Sequence, residues 1–167
     1  MAKTAKKATP AKGEPGGDQV ISVNRAAFHD YEIDDRVEAG MVLTGTEIKS
    51  IRAGHVNLRE AYARIDHGEV WLWNAHIAPY EQGSVYNHEP TRTRKLLLHR
   101  REIEGLTGRV RMRGYTLVPL RLYLHRNRAK VELGLARGKK EFDKRDSIAE
   151  RDAKRDMDRA LRDRGRG

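Results

Sequence analysis

The side chains of this chain that are equipped for chemistry are cations and rings rather than nucleophiles or metal ligands. Seven histidines, His29, His55, His67, His76, His88, His99 and His125, stand without HExxH or other metal-ligand spacing, so no metal site is expected. No cysteine is present, which removes disulfides, thiol nucleophiles and thiolate metal sites. There is no glycine-rich phosphate loop, no paired acid cluster for two metals and no hydroxyl nucleophile with an activating neighbour. The expectation is a protein that is not an enzyme, with no catalytic residue and no cofactor. What remains is the chemistry of holding a polyanion. A formal charge of +10 with 35% charged residues favours nucleic acid as the partner. Trp71 and Trp73, with Tyr80 and Tyr86 nearby, are of the type that stacks on bases, although a strand carrying two tryptophans more often packs one inward as core. Tyr62 and Tyr123 are further candidates for such a surface. No apolar run is long enough to span a bilayer and no secretory signal opens the chain, so a cytoplasmic location without a membrane partner is expected.

These residues need elements to position them. Residues 1–19 mix Lys, Ala, Thr, Pro and Gly without an apolar period and read as a disordered arm. Residues 20–137 hold nearly all the large apolar side chains and fit one domain with one core. Thr44 and Glu47 form a capping box, Ile48 and Ile51 share a helical face, and Gly54 suits a stop, which makes one short helix. Ala61 to Ile65 and Glu69 to Ile77 flank Asp66-His67-Gly68 and read as a hairpin. Ile103, Leu106 and Val110 share a helical face before Gly114, with Gly105 and Gly108 weakening that helix and Arg100, Arg101, Arg109 and Arg111 on its opposite side. In the clearest element, Leu120, Leu122 and Leu124 alternate with Arg121, Tyr123 and His125, and then Val131, Leu133 and Leu135 alternate with Lys130 and Glu132, as in a second hairpin. The expected fold is mainly β: a small antiparallel OB-like barrel with about three short α-helices.

Residues 138–167 form a charged tail. Gly138 to Gly167 hold eleven Lys or Arg and eight Asp or Glu with few apolar side chains. Ser147 and Glu150 are a capping pair, while Ala149, Ala153, Met157, Ala160 and Leu161 share one helical face. Glu150 with Lys154 and Asp158 with Arg162 add about 0.2–0.5 kcal/mol each, too little to hold an isolated helix. The tail is therefore expected to be disordered when free and helical when bound.

Several blocks carry a family resemblance: Asn24-Arg25, His29 to Tyr31, Glu38 to Gly40, Leu43 to Gly54, Ile77 to Tyr80, Arg92 to Leu98, Glu132 to Ala136, Gly138-Lys139-Lys140 and Asp143-Lys144-Arg145. In order, from Asn24 to about Leu161, the chain resembles SmpB, the tmRNA-binding family of bacterial trans-translation. The resemblance implies an OB-like barrel that binds the tRNA-like domain of tmRNA, one copy per tmRNA. It also implies delivery of alanyl-tmRNA, in complex with elongation factor Tu, to stalled ribosomes, with the tail entering the empty mRNA channel and the small-subunit decoding site. Charging and peptide transfer would belong to other catalysts.

Carried over residue by residue, the resemblance implies RNA-facing roles for Asn24, Glu38 and Leu97, with Arg25, His29 and Lys95 beside them. An amide, a carboxylate and an apolar group suit splayed loop bases. Each has a plainer reading: Asn24 as a helix N-cap, Glu38 in a surface salt bridge, Leu97 in the core. In the tail the implied ribosome-binding residues are Gly138 as a hinge, Lys139 and Lys140 on phosphates, Phe142 as a ring for stacking or a patch closing the barrel, and Asp143, Lys144 and Arg145. The rival reading is a structural ribosomal or ribosome-assembly protein, with a general single-strand RNA chaperone as a third.

Overall fold

The computed structural model describes residues 17–83, 87–139 and 141–164. The arm residues 1–16, Tyr86 and Lys140 lie outside the described residues, as do the side chains of Phe142, Asp143, Lys144 and Ser147. In chain order the elements are β1 (Gln19–Val23), α1 (Arg25–Asp30), β2 (Tyr31–Met41), α2 (Gly45–Arg52), β3 (Val56–Asn57), β4 (Tyr62–Asp66) and β5 (Glu69–Trp73). They continue with β6 (His76–Ile77), β7 (Arg94–Leu97), α3 (Arg100–Arg113), β8 (Thr116–His125), β9 (Arg128–Gly138) and α4 (Glu141–Arg164).

Six strands close on themselves in the order β8, β4, β5, β7, β2, β9 and back to β8, with every pairing antiparallel. β1 adds to the outer half of β8, and β3 pairs with β6 apart from the ring. Closure gives every ring strand a neighbour on both sides, although β2 meets β7 only at Gly40 and Met41 and β4 meets β8 only at Ala63. This is the expected mainly β, OB-like barrel with three helices on its body. Alternation dictates its interior: Val70, Leu72, Leu122, Val131 and Leu133 point inward and are fully buried.

Both hairpins turn on two residues with positive φ, His67 (48°) with Gly68 (73°) and Arg126 (49°) with Asn127 (62°). That geometry matches the strand twist. The first hairpin is shorter than expected. Asn74, at φ 58°, ends β5 after Trp73, and His76 and Ile77 leave the hairpin to pair with Asn57 and Val56.

In the second hairpin the expected common face of Leu120, Leu122 and Leu124 does not form. Pro119 faces Leu133 and Arg121 faces Glu132, so Leu120 is an extra residue in a bulge. The bulge sends Leu120 to the outer side, where it packs with Ala27, Val118 and Ala136 beneath α1, while Leu122 and Leu124 remain in the barrel. A matching bulge in β2 between Ile33 and Asp35 puts Ile33 in the same outer cluster and Val37 against the barrel core. Two bulges thus give one end of the barrel a second apolar surface, and α1 covers it. Gly134 faces this cluster, since a Cβ there would meet Leu120 side-chain carbons at 3.0–3.1 Å.

The tryptophans correct another expectation. Val70 and Leu72 take both inward positions of β5, so neither Trp71 nor Trp73 packs inside. α3 is continuous, with Leu106 buried, Ile103 and Val110 against the core, and Gly114 in the left-handed region at φ 65°. Gly105 and Gly108 face open space, so nothing at those positions interrupts it. The tail is the helix α4, whose residues 148–162 are all exposed. Among the described residues no helix is long and apolar enough to cross a membrane.

Candidate nucleic-acid interface

Glu38 lies on the outer face of β2, opposite Glu132 of β9, with its neighbour Gly40 between Lys130 of β9 and Leu97 of β7. The Lys130 ammonium donates to one carboxylate oxygen at 2.5 Å, and the Tyr123 hydroxyl donates to the other. Lys130 first and Tyr123 second hold the Glu38 carboxyl below its ordinary range. Burial, reinforced by the Glu38 charge, pushes the Tyr123 phenol up, so it stays a protonated donor. The carboxylate is about half exposed at 49% and retains acceptor capacity toward solvent. The salt-bridge reading of Glu38 is therefore present in the structure, and it leaves an oriented acceptor at the surface.

The same face continues away from Glu38. Arg121 lies over the Tyr123 ring at 4.5 Å and pairs with Glu132 at 2.8 Å. Glu132 also binds Arg36 at 3.1 Å, and Arg36 lies over the Phe28 ring of α1 at 5.5 Å. Sequence reasoning missed Arg36, Glu132 and Phe28 as parts of a surface. The signal available was the alternation that places Arg121 with Tyr123, and Lys130 with Glu132, on one side of their strands.

Leu97 is 53% exposed, whereas Leu96 beside it is buried, so the core reading of Leu97 does not hold. Its side chain sits against Gly40, where a Cβ would lie 3.5 Å from the Leu97 Cβ, and it borders a hollow lined also by Met41, Ile48, Ala129 and Lys130. Lys95, two residues back on the same face, is held by Glu69 at 2.7 Å. Glu38, Leu97 and Lys95 are thus brought together on the outer surface of β2 and β7.

Asn24, Arg25 and His29 form a separate group at α1. Asn24 is buried, and its side chain is engaged: Oδ1 accepts from the Ala27 N–H at 3.2 Å, while Nδ2 donates to the Leu58 and Pro119 carbonyls at 3.0 and 2.9 Å. It caps α1 and ties it to two other segments, as the plainer reading anticipated. Arg25 is exposed, and His29 Nδ1 lies 2.8 Å from Asp30. With Arg59 and Arg151 these two side chains line a cationic hollow.

Gly138, expected as a hinge, is the last residue of β9 and pairs with Tyr31. Beyond it the Lys139 N–H donates to the Asp30 carbonyl at 2.9 Å and its ammonium to the Phe28 carbonyl at 3.2 Å, which fixes the start of the tail to α1. Arg145 is exposed on α4.

Behind the Leu97 face lies a buried charge cluster. Glu47 and Arg94 are both fully buried and meet at 2.9 Å, Arg92 adds a bidentate pair to Glu47 at 2.9 and 3.0 Å, and Arg94 donates further to the Ala75 and Pro90 carbonyls. Burial alone would raise the Glu47 carboxyl, but Arg92, the Thr44 N–H and Arg94 overcome it and bring it to about 2. His88 closes the neighbouring loop. The Ile77 carbonyl at 2.8 Å can only accept, so Nε2 carries a proton, and Nδ1 meets the Thr46 hydroxyl at 2.8 Å. Among the described residues no group of His, Asp and Glu is arranged to hold a metal.

Comparison with known proteins gives this surface a context. The sequence model of the family described as SmpB protein matches residues 21–163. The SsrA-binding protein of Roseiflexus castenholzii is 64% identical over 152 residues, spanning 90% of this chain and 96% of the relative. That of Desulfitobacterium hafniense is 60% identical over 151 residues, spanning 90% and 97%. A solved chain described as "tmRNA-SmpB: a journey to the center of the bacterial ribosome" superposes with a TM-score of 0.61 at 55% identity, over 72% of this chain and 85% of that one. With a family match over most of its length, relatives of this identity and the same barrel in a solved chain, this protein belongs to the SmpB family.

Proposed function

We propose that this protein binds the tRNA-like domain of tmRNA and brings alanyl-tmRNA, with elongation factor Tu, to ribosomes stalled without a codon in the decoding site. The observation that carries the reading is the outward Leu97 beside an oriented Glu38 carboxylate on a cationic chain, in a family whose relatives are named for binding SsrA RNA. A carboxylate on a polyanion-binding surface is useful where it accepts from a base edge, and an exposed leucine where it covers a base face. Arg25 and His29 supply phosphate contacts at α1. Asn24 acts by fixing α1 in place, since its amide is already engaged. Lys95 contributes charge at the far margin of the face.

The tail reading fits the same task. Gly138 and Lys139 anchor the start of α4 at α1. From there Lys140, Phe142, Asp143, Lys144 and Arg145 lead a helix into an mRNA channel that is open only when no message fills it, and counterion release there favours entry. The site of action is the cytoplasm, one copy acts per tmRNA, and the protein's own contribution is binding rather than catalysis.

The test is binding of the purified chain to the tRNA-like domain against an equal-length tRNA competitor across a salt series. Specific binding survives the competitor, and Glu38→Ala or Leu97→Ala weakens it about tenfold or more, as expected for loss of a base contact. Equal binding to both RNAs, with neither substitution having an effect, would reduce the interface to a basic surface and favour a ribosomal or chaperone role.

A further inference from the structure

The β4–β5 hairpin presents rings on the outer surface that neither the barrel core nor the Glu38 and Leu97 face uses. Tyr62 and Trp73 are register partners whose ring centroids lie 6.4 Å apart with planes 7° from parallel. The Arg64 guanidinium lies 5.9 Å from the centroid of the Trp73 ring. Trp73 is 37% exposed, and Arg64 is exposed. A tryptophan is costly to leave in water, and here the fold has filled its inward positions with Val70 and Leu72 instead.

We propose that Tyr62, Trp73 and Arg64 form a stacking site for an unpaired RNA base, distinct from the face around Glu38 and Leu97. Near-parallel rings held by two paired strands offer a fixed π surface to a base, at little entropic cost to the protein. Arg64 serves the same nucleotide in two ways, polarising the ring and neutralising the adjoining phosphate. The surroundings favour a polyanion over a protein partner: Arg59 is exposed nearby with Arg64, and the chain as a whole carries +10. A cleft of about 340 Å³ opens beside Tyr62, lined by Arg59 and Glu60 as well as by residues of α1. Paired RNA would not use the site, because an A-form helix keeps its base faces stacked inside.

The inference rests on the proposed RNA-binding role only in taking RNA as the ligand, and the test separates the two. The full chain and its Trp73→Ala, Trp73→Phe and Tyr62→Ala variants are titrated with three RNAs: the tRNA-like domain, an unstructured RNA of about twelve nucleotides, and a duplex of equal length. Tryptophan fluorescence and anisotropy report binding, and circular dichroism checks the fold of each variant. The expected result is quenching by the unstructured RNA and not by the duplex. Its affinity falls about tenfold in Trp73→Ala and Tyr62→Ala and is largely retained in Trp73→Phe, while the tRNA-like domain binds all four proteins within about twofold. Unchanged affinity of folded Trp73→Ala for the unstructured RNA, equal quenching by duplex, or a parallel loss for the tRNA-like domain would each overturn the proposal. Binding of the tRNA-like domain alone would overturn it and leave the principal reading intact, whereas no binding of any RNA would remove both.

Discussion

Glu47 shows how far one residue's role can lie from its local sequence signature. Its neighbours identify a capping carboxylate, and it does accept from the Thr44 N–H at 2.9 Å. Its larger task is to neutralise buried Arg94 from the other side of a loop, which no local periodicity encodes. Glu47→Gln is expected to destabilise the fold by about 3 kcal/mol or more in urea unfolding at neutral pH, because it strands a buried guanidinium. The pH dependence has a definite sign. The folded carboxyl, near 2, lies below its ordinary 4.5, so its contribution is fully present above pH 4.5 and is lost as pH falls from there toward 2. Acid unfolding of Glu47→Gln should therefore be flatter across that window than that of the parent protein. Leu97 is the opposite case. It is exposed, so Leu97→Ala should shift stability by no more than about 0.5 kcal/mol in the same assay while lowering RNA affinity. Its outward direction was not legible from Leu96-Leu97-Leu98, where every position is apolar. The resemblance singled it out, and the strand register supplies the physical reason.

At the scale of elements, alternation located both hairpins, and local capping located α2. What it did not reveal was the bulges. A bulge changes which parity faces inward at a single unmarked position, so Leu120 looked like Leu122 and yet lies under α1. The β5 run Val70-Trp71-Leu72-Trp73 hid its register for a related reason, since both parities are apolar and only the neighbouring strands decide. α1 has just six residues and depends on what holds it. Asn24→Ala is expected to cost about 2 kcal/mol or more by thermal or urea unfolding, through loss of the N-cap and of the side-chain bonds donated to the Leu58 and Pro119 carbonyls. RNA affinity should then fall through displacement of Arg25 and His29, with Asn24→Asp recovering the cap but not the two donated bonds.

For the whole molecule, charge is distributed differently from what a basic tail suggests. Residues 141–167 hold nine Lys or Arg against eight Asp or Glu, so nearly all of the net +10 belongs to the rest of the chain. Deleting the chain from Glu141 onward should leave both the urea midpoint and the salt slope of tRNA-like-domain binding nearly unchanged, while peptide tagging on stalled ribosomes is lost. A marked drop in salt slope would mean that the tail shares in binding that RNA. The barrel's closure also bears on how the protein is made. β2 pairs along its length with β9, from Tyr31 opposite Gly138 to Gly40 opposite Lys130, so the ring's first strand waits for its last. During synthesis β2 therefore stays without its principal partner until nearly the whole body has emerged, a long-range pairing of the kind that slows folding. A nascent chain cut short before β9 would release an open sheet rather than a smaller barrel.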